Sequence, residues 1–199
     1  MSLLKRIFDL LVTIIGLIVI LPLLFIISLL VWVFLGTPVL FRQLRPGTKG
    51  RPFVTYKFRT MTNRTGPDGK VLPDAERLTP FGRFLRSTSL DDLPQLLNVL
   101  RGEMSLVGPR PLLMRYLECY TPEQMRRHDV LPGITGWAQI HGRNTLDWEQ
   151  KFRLDVWYVD HWSFWLDLKI LFLTPWKVFK REGINHPGHV TAQEFKGDK

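Results

Sequence analysis

The chain has 199 residues, 45% of them hydrophobic, with 27 Lys and Arg against 18 Asp and Glu and a formal net charge of +9. That length fits one domain, or one domain plus a membrane element. The basic balance favours anionic partners: lipid headgroups and anionic substrates first, nucleic acid second. The single cysteine, Cys119, excludes an internal disulfide and gives no argument for an oxidising compartment. It reads as a packed small apolar group rather than a nucleophile.

The apolar residues concentrate at the start. Leu10 to Leu35 contains no charged residue, and roughly 20 apolar residues suffice to cross a bilayer. A cleaved signal peptide fits poorly, because the run is long and no small-residue cleavage pattern follows it. Pro22 lies near the middle, where a proline removes a backbone donor and clashes with the preceding turn, so a kink or break is expected. Both flanks are basic: Lys5 and Arg6 precede the run, and Arg42, Arg45, Lys49 and Arg51 follow it. Lys and Arg belong on the cytoplasmic side. A hairpin bent at Pro22 keeps both flanks inside; a kinked spanning anchor is the other reading. Residues 1–36 therefore read as a membrane element, and residues 37–199 as a soluble, membrane-associated domain.

Within that domain, Phe53 to Phe58 alternates and predicts a short strand. Asn63 to Asp74 is a loop rich in turn residues. Leu78 to Leu85 predicts a helix opened by Thr79-Pro80, and a second helix is expected from about Asp91 to Leu100. Gly108-Pro109-Arg110-Pro111 cannot be a regular helix. Pro122 to Asp129 predicts a helix with proline at its start. Leu131 to Gly142 is loop with a possible strand. Leu146 to Asp160 reads as an amphipathic helix, and a last helix runs from Trp165 to Arg181 with an interruption near Pro175. The late aromatics Trp157, Tyr158, Trp162, Phe164, Trp165, Phe172, Trp176 and Phe179 mingle with Lys169, Lys177, Lys180 and Arg181. That mixture suits a bilayer interface, although a core stripe with a solvated basic face would look similar. The fold class is α/β and α-rich.

The strongest local signal is Arg86-Ser87-Thr88-Ser89-Leu90-Asp91-Asp92-Leu93-Pro94-Gln95-Leu96. Pro94 belongs in a helix's first turn, which places Asp91 and Asp92 at the helix N-terminus. Free N–H groups there favour anions. Adjacent carboxylates also suit Mg²⁺ bound together with substrate phosphates, and an ionised Asp is a competent nucleophile on phosphorus. Simple N-capping by Asp is the bland alternative. Several cations sit in positions suited to phosphate. Arg110 lies between two prolines, Arg86 is five residues before Asp91, Lys57 and Arg59 flank Phe58, and Arg143 follows Gly142. The five histidines, His186 and His189 included, lack metal-ligand spacing. The absence of Walker A, G-x-G-x-x-G and G-x-S-x-G sequences argues against a P-loop NTPase, a dinucleotide-binding dehydrogenase and an α/β-hydrolase.

At these residues the chain resembles the bacterial sugar transferase family, the monotopic phosphoglycosyl transferases. The resemblance runs through Lys5-Arg6-Ile7-Phe8-Asp9, Tyr56-Lys57-Phe58-Arg59-Thr60-Met61, Ser89 to Leu96, Asn98-Val99-Leu100-Arg101-Gly102-Glu103-Met104-Ser105, Gly108-Pro109-Arg110-Pro111 and Pro132-Gly133-Ile134-Thr135-Gly136. The short length and the tail Thr191 to Lys199 look most like the small PglC-type members. The resemblance implies a re-entrant membrane helix broken at Pro22, with both ends at the cytoplasmic face of a bacterial inner membrane. It implies an acidic dyad, Asp91 and Asp92, with Asp91 as nucleophile on the β-phosphate of a UDP-sugar and as the Mg²⁺ ligand. UMP leaves, and undecaprenyl phosphate then takes the phospho-sugar. Lys57, Arg59, Arg86, Arg110 and Arg143 are the expected substrate-binding cations, anionic lipids the expected surroundings, and downstream glycosyltransferases possible partners; no nucleic acid is expected. Two positions depart from the family pattern: Asp92 replaces the usual Glu, and Leu21 precedes the proline where Ser is frequent. The competing reading is a non-catalytic module that binds lipids or partner enzymes at the membrane surface.

Overall fold

The computed structural model describes residues 2–142, 145–180, 194, 195 and 197. Arg143, His186, His189, the end of the last predicted helix and most of the tail Thr191 to Lys199 lie outside the described residues. In chain order the elements are α1 (Leu3–Leu35), β1 (Leu40–Pro46), β2 (Pro52–Phe58), α2 (Asp74–Arg77), α3 (Pro80–Ser87), α4 (Leu96–Arg101), β3 (Ser105–Val107), α5 (Pro122–Met125), β4 (Gly133–Thr135), α6 (Trp137–Ile140), α7 (Trp148–Asp160) and α8 (Phe164–Phe179). Tight 3-10 segments cover Leu90–Gln95, Met114–Cys119 and Arg126–His128. The α-rich α/β expectation holds: β1 and β2 pair antiparallel, and β3 and β4 pair parallel.

Helix α1 begins where the Ser2 hydroxyl accepts from the Lys5 amide, and it continues through Pro22 to Leu35. The expected helix-break-helix is therefore not an interruption of the helix. Proline deletes one backbone donor and crowds one carbonyl, while the remaining turns of a long helix keep their bonds. By length and composition α1 can cross a membrane, with a mean hydropathy of 3.2 over its most apolar stretch. Its buried residues Lys5, Asp9, Thr13, Ile27 and Val31 lie toward its two ends. Between them Ile14, Ile15, Ile18, Val19, Leu21 and Leu23 are exposed.

Both ends of α1 are tied to the rest of the chain. At the start, Lys5 Nζ lies 2.5 Å from Asp167 Oδ2, Arg6 donates to the carbonyls of Val99 and Leu100, and Asp9 accepts from Ser105 Oγ at 2.7 Å. Asp167 also accepts from Tyr158 and Trp162. Toward the other end, Ile27 and Val31 form one apolar cluster with Phe58 and Leu85.

The main core joins Phe53, Val99, Met104, Leu106, Val107, Ile140, Tyr158 and Ile170. Tyr158 is therefore a core residue, not an interfacial one. Its ring is buried and its hydroxyl is satisfied by Asp167 and the Val107 carbonyl. The opposite surface of α8 fits the interfacial expectation better: Trp165 is 77% exposed, Phe172 84% and Phe179 83%. Helix α8 also runs through Pro175 without the predicted interruption. The helix expected over Asp91 to Leu100 is split: 3-10 geometry holds Leu90–Gln95, and α4 starts at Leu96. Pro94 supplies no N–H, so the first turns lack a regular α-helical ladder. Cys119 is half-buried against the cluster of Tyr116, Phe152 and Phe195, as its packing role requires.

Candidate active site

The two acids sit in the 3-10 segment immediately after Ser89, whose backbone is left-handed at φ 58°. A non-glycine residue there is uncommon and strained, and such strain clusters at functional positions. Both Asp91 and Asp92 are buried. Their environments differ sharply.

Asp92 is clamped. Lys57 Nζ lies 2.6 Å from Oδ1, Gln95 Nε2 donates to the same oxygen at 2.5 Å, and Arg110 Nη2 donates to Oδ2 at 2.9 Å. Each partner comes from a different local structure. Strand β2 presents Lys57; Gln95 is three residues on, one tight turn away; the Pro109-Arg110-Pro111 segment presents Arg110. Burial opposes ionisation of Asp92, but Arg110 and Lys57 outweigh it and hold the carboxyl well below the usual range. Lys57 is pushed down by its own burial, against the pull of Asp92, while the Asp92 charge holds Arg110 up.

The Asp91 side chain makes no hydrogen bond with any described residue, so it does not cap the helix. Burial, then the adjacent Asp92 charge, raise its pKa to about 6; Lys57, Arg110 and Arg86 pull the other way. An unbonded carboxylate with a raised pKa is a better nucleophile than one saturated by donors. The pair is thus asymmetric. Asp92 organises cations, and Asp91 is left available.

The other predicted cations divide. Arg86 donates from Nε to Thr60 Oγ1 at 3.0 Å, and its charge is felt by Asp91. Arg59 is buried and donates from Nη1 to the Thr37 carbonyl at 2.7 Å, which ties the end of β2 to the exit of α1.

Four features were not anticipated from the sequence. Gln95 lies inside the motif, and its spacing of three from Asp92 was the available signal. Arg45 of β1, read from sequence only as a basic flank, is half-buried near Arg110 and Asp92; burial and then the Arg110 charge lower its pKa to about 10. Buried Arg127 donates to Asp155 Oδ2 at 2.7 and 3.1 Å and to the Arg110 carbonyl at 2.7 Å, fixing the backbone that presents Arg110. Finally, Asp92 and Arg110 line a pocket of mixed character, with Leu93, Leu96, Ile134, Ile140 and Val178 beside Ser89, Thr135, Gln139, Thr174 and Lys177.

The donor set bears on a metal. Among the described residues no three His, Cys, Asp or Glu converge, and both Asp92 oxygens are occupied. Asp91 alone has a carboxylate to offer. Mg²⁺ is commonly bound by one or two carboxylates plus substrate phosphates, so the residues fit a metal that arrives with a phosphorylated substrate.

Sequence comparison identifies related proteins. Residues 1–181 match the family model for bacterial sugar transferases. The chain is 63% identical over 163 residues to a protein of Bacillus subtilis (strain 168) named uncharacterized sugar transferase EpsL, covering 82% of this chain and 81% of that one. It is 46% identical to the UDP-glucose:undecaprenyl-phosphate glucose-1-phosphate transferase of Klebsiella pneumoniae, over 88% of this chain and 40% of that protein. It is 38% identical to the undecaprenyl-phosphate galactose phosphotransferase of Salmonella typhimurium, over 90% of this chain and 41% of that protein. The chain thus spans about four-fifths of the first relative and two-fifths of the other two. With the dyad, its cations and a match over 181 of 199 residues in hand, the chain belongs to the bacterial sugar transferase family.

Proposed function

We propose that this chain is a phosphoglycosyl transferase that moves a phospho-sugar from a UDP-sugar to undecaprenyl phosphate, with Asp91 as the covalent nucleophile. The observation that carries the reading is the asymmetry of the buried dyad: Asp92 holds three donors and Asp91 holds none. The names of the Klebsiella and Salmonella relatives support the donor class and the lipid acceptor, with glucose and galactose as the sugars to try first.

An Asp91 oxygen attacks the β-phosphorus. A P–O bond forms, the bond from β-phosphorus to the bridging oxygen breaks, and UMP departs with the bridging electrons. A phosphate oxygen of the polyprenyl phosphate then attacks the same phosphorus and releases the Asp91 carboxylate. Phosphoryl transfer depends above all on positioning and charge neutralisation. Arg110 and Lys57, fixed by Asp92, and Arg86, fixed by Thr60, lie close enough to Asp91 to influence its charge. Bound Mg²⁺ would further neutralise the diphosphate, with Asp91 as its protein ligand.

The packing of α1 supports a membrane arrangement as well. A spanning helix would carry one end away from the cytosolic domain. Here the first turn is bonded to Asp167, Val99 and Leu100, and the last turns pack on Phe58 and Leu85. Attachment at both ends supports re-entry from the cytoplasmic face of the inner membrane, with the exposed apolar middle immersed and Pro22 at its centre. The acceptor phosphate lies at that interface, and the UDP-sugar comes from the cytosol.

The test is intact mass of detergent-solubilised protein with UDP-glucose or UDP-galactose and Mg²⁺, without lipid. The expected result is a single phospho-hexose adduct that disappears in Asp91→Asn. Release of UMP only when undecaprenyl phosphate is added, with no adduct, would replace the covalent step by direct transfer. No adduct and no UMP with any UDP-sugar would leave the membrane-surface binding module as the better reading.

A further inference from the structure

The pocket bordered by Asp92 and Arg110 carries polar groups that the proposed chemistry does not use. Gln139 of α6 lines it and is only 9% exposed, and neither its amide nitrogen nor its amide oxygen has a partner among the described residues. A buried amide without hydrogen bonds is costly and calls for an explanation. Gly136 makes room for it: a Cβ at that position would lie 2.7 Å from Gln139 Oε1 and 2.2 Å from the Gly108 carbonyl oxygen. Elsewhere in the lining, Thr135 Oγ1 and Thr174 Oγ1 lie 2.8 Å apart, and Thr174 donates to the Ile170 carbonyl at 2.7 Å. A hydroxyl has one proton, so Thr135 is the donor within the pair. Both threonines have then spent their protons and can only accept. Ile134 and Ile140 add aliphatic surface.

We propose that Gln139 determines sugar specificity by bonding a ring hydroxyl of the donor's hexose, with the Thr135–Thr174 pair accepting from a second hydroxyl and the isoleucines against the C–H groups of the ring. The inference rests on the transferase reading and deepens it by giving the sugar a reader. A hexopyranose has the same mixed character as the lining, with hydroxyls around its edge and C–H groups on its faces. A hydrocarbon occupant would leave the Gln139 amide unpaired. The sugar is also the group joined to the phosphorus that Asp91 attacks, so it belongs beside Arg110 and the dyad, whereas the uracil is separated from that phosphorus by the other phosphate and the ribose. A sugar hydroxyl both donates and accepts. It can therefore satisfy either end of the amide, which no hydrogen bond holds in one orientation.

The test is equilibrium binding in detergent to protein carrying Asp91→Asn, which removes the proposed nucleophile and needs no turnover. The probes are UDP-glucose, UDP-galactose, their monodeoxy analogues and UMP. With Gln139 in place, loss of one particular hydroxyl should weaken binding about tenfold, the scale of leaving a buried polar group unpaired. In Gln139→Met, a change of similar size, the parent UDP-sugar should weaken by about the same factor and the penalty for that deoxy position should vanish. UMP should bind within twofold of its affinity for the Gln139 protein. Because the amide bonds nothing, its removal should leave the unfolding midpoint unchanged or raise it. Deoxy penalties that are the same in both proteins would overturn the proposal. So would a lowered midpoint with unchanged UDP-sugar binding, which would make Gln139 structural. Weaker UMP binding in Gln139→Met would assign the residue to the nucleoside instead. Failure of the transferase reading shows separately, as absent adduct and absent UMP release in wild type.

Discussion

Replacing Asp92 by Asn separates the roles of the two acids. The side chain keeps its size and loses its charge. Lys57, at 2.6 Å, and Arg110, at 2.9 Å, then face an amide with only one accepting oxygen. Removing one partner of a buried ion pair costs about 3–5 kcal/mol. At roughly 2–4 °C per kcal/mol for a chain of this size, the unfolding midpoint should fall by about 10 °C. The effect on Asp91 has the opposite sense. Burial is the first cause of its raised pKa of about 6, and the Asp92 charge is the second. With that charge gone the pKa falls, so Asp91 stays ionised to lower pH. The rate of adduct formation in wild type should decline as pH drops through about 6. In Asp92→Asn the same acid limb should lie at lower pH, with a smaller plateau because the cations have lost their anchor. Intact mass against pH, with thermal unfolding in detergent as the control for folding, reads all three quantities. Adduct retained in Asp91→Asn but lost in a folded Asp92→Asn would invert the assignment. An acid limb that moved up would refute the electrostatic argument.

Three further outcomes follow from other parts of the molecule. Arg127→Lys keeps the charge but cannot bond Asp155 and the Arg110 carbonyl together, so adduct formation should slow about tenfold. The loss should vanish in an Arg110→Ala background, and an additive loss there would show that Arg127 does not act through Arg110. His128 is buried, its Nδ1–H donates to the Gly47 carbonyl, and burial lowers its pKa to about 4. Between about pH 6.5 and 4 the unfolded chain binds the extra proton and the folded chain does not, so stability falls as pH falls, by about 3 kcal/mol from this group. Unfolding in detergent at pH 7 and pH 4.5 should show this loss, and His128→Asn should flatten it. Lys5→Met leaves Asp167 without its cation in a buried cluster and should cost about 3 kcal/mol. Protease cleavage near the start of α1 should accelerate, whereas unchanged cleavage would mean that this ion pair does not hold the helix down.

What the sequence could and could not reveal about the site follows the distance between interacting residues. Helices α3, α7 and α5 begin at Thr79, Asp147 and Thr121, whose side chains bond amides three residues on; such caps are local and readable. The acids were readable too, because they lie in one unusual motif. The contacts that make them different were not. Lys57 is 35 positions from Asp92, Arg110 is 18 away, and Arg127 acts through the Arg110 backbone. Arg59 is a further case: β2 ends at Phe58, and Arg59 donates to the carbonyl of Thr37, a partner 22 positions away. Strand β1 escaped for a related reason: its arginines read as a basic flank, and only pairing with β2 reveals a strand that carries Arg45 toward the dyad. In the proposed mechanism the nucleophile is the acid that nothing touches. Asp91 is distinguished because the local donors are spent on Asp92, a property of three non-adjacent segments that no window of the sequence contains.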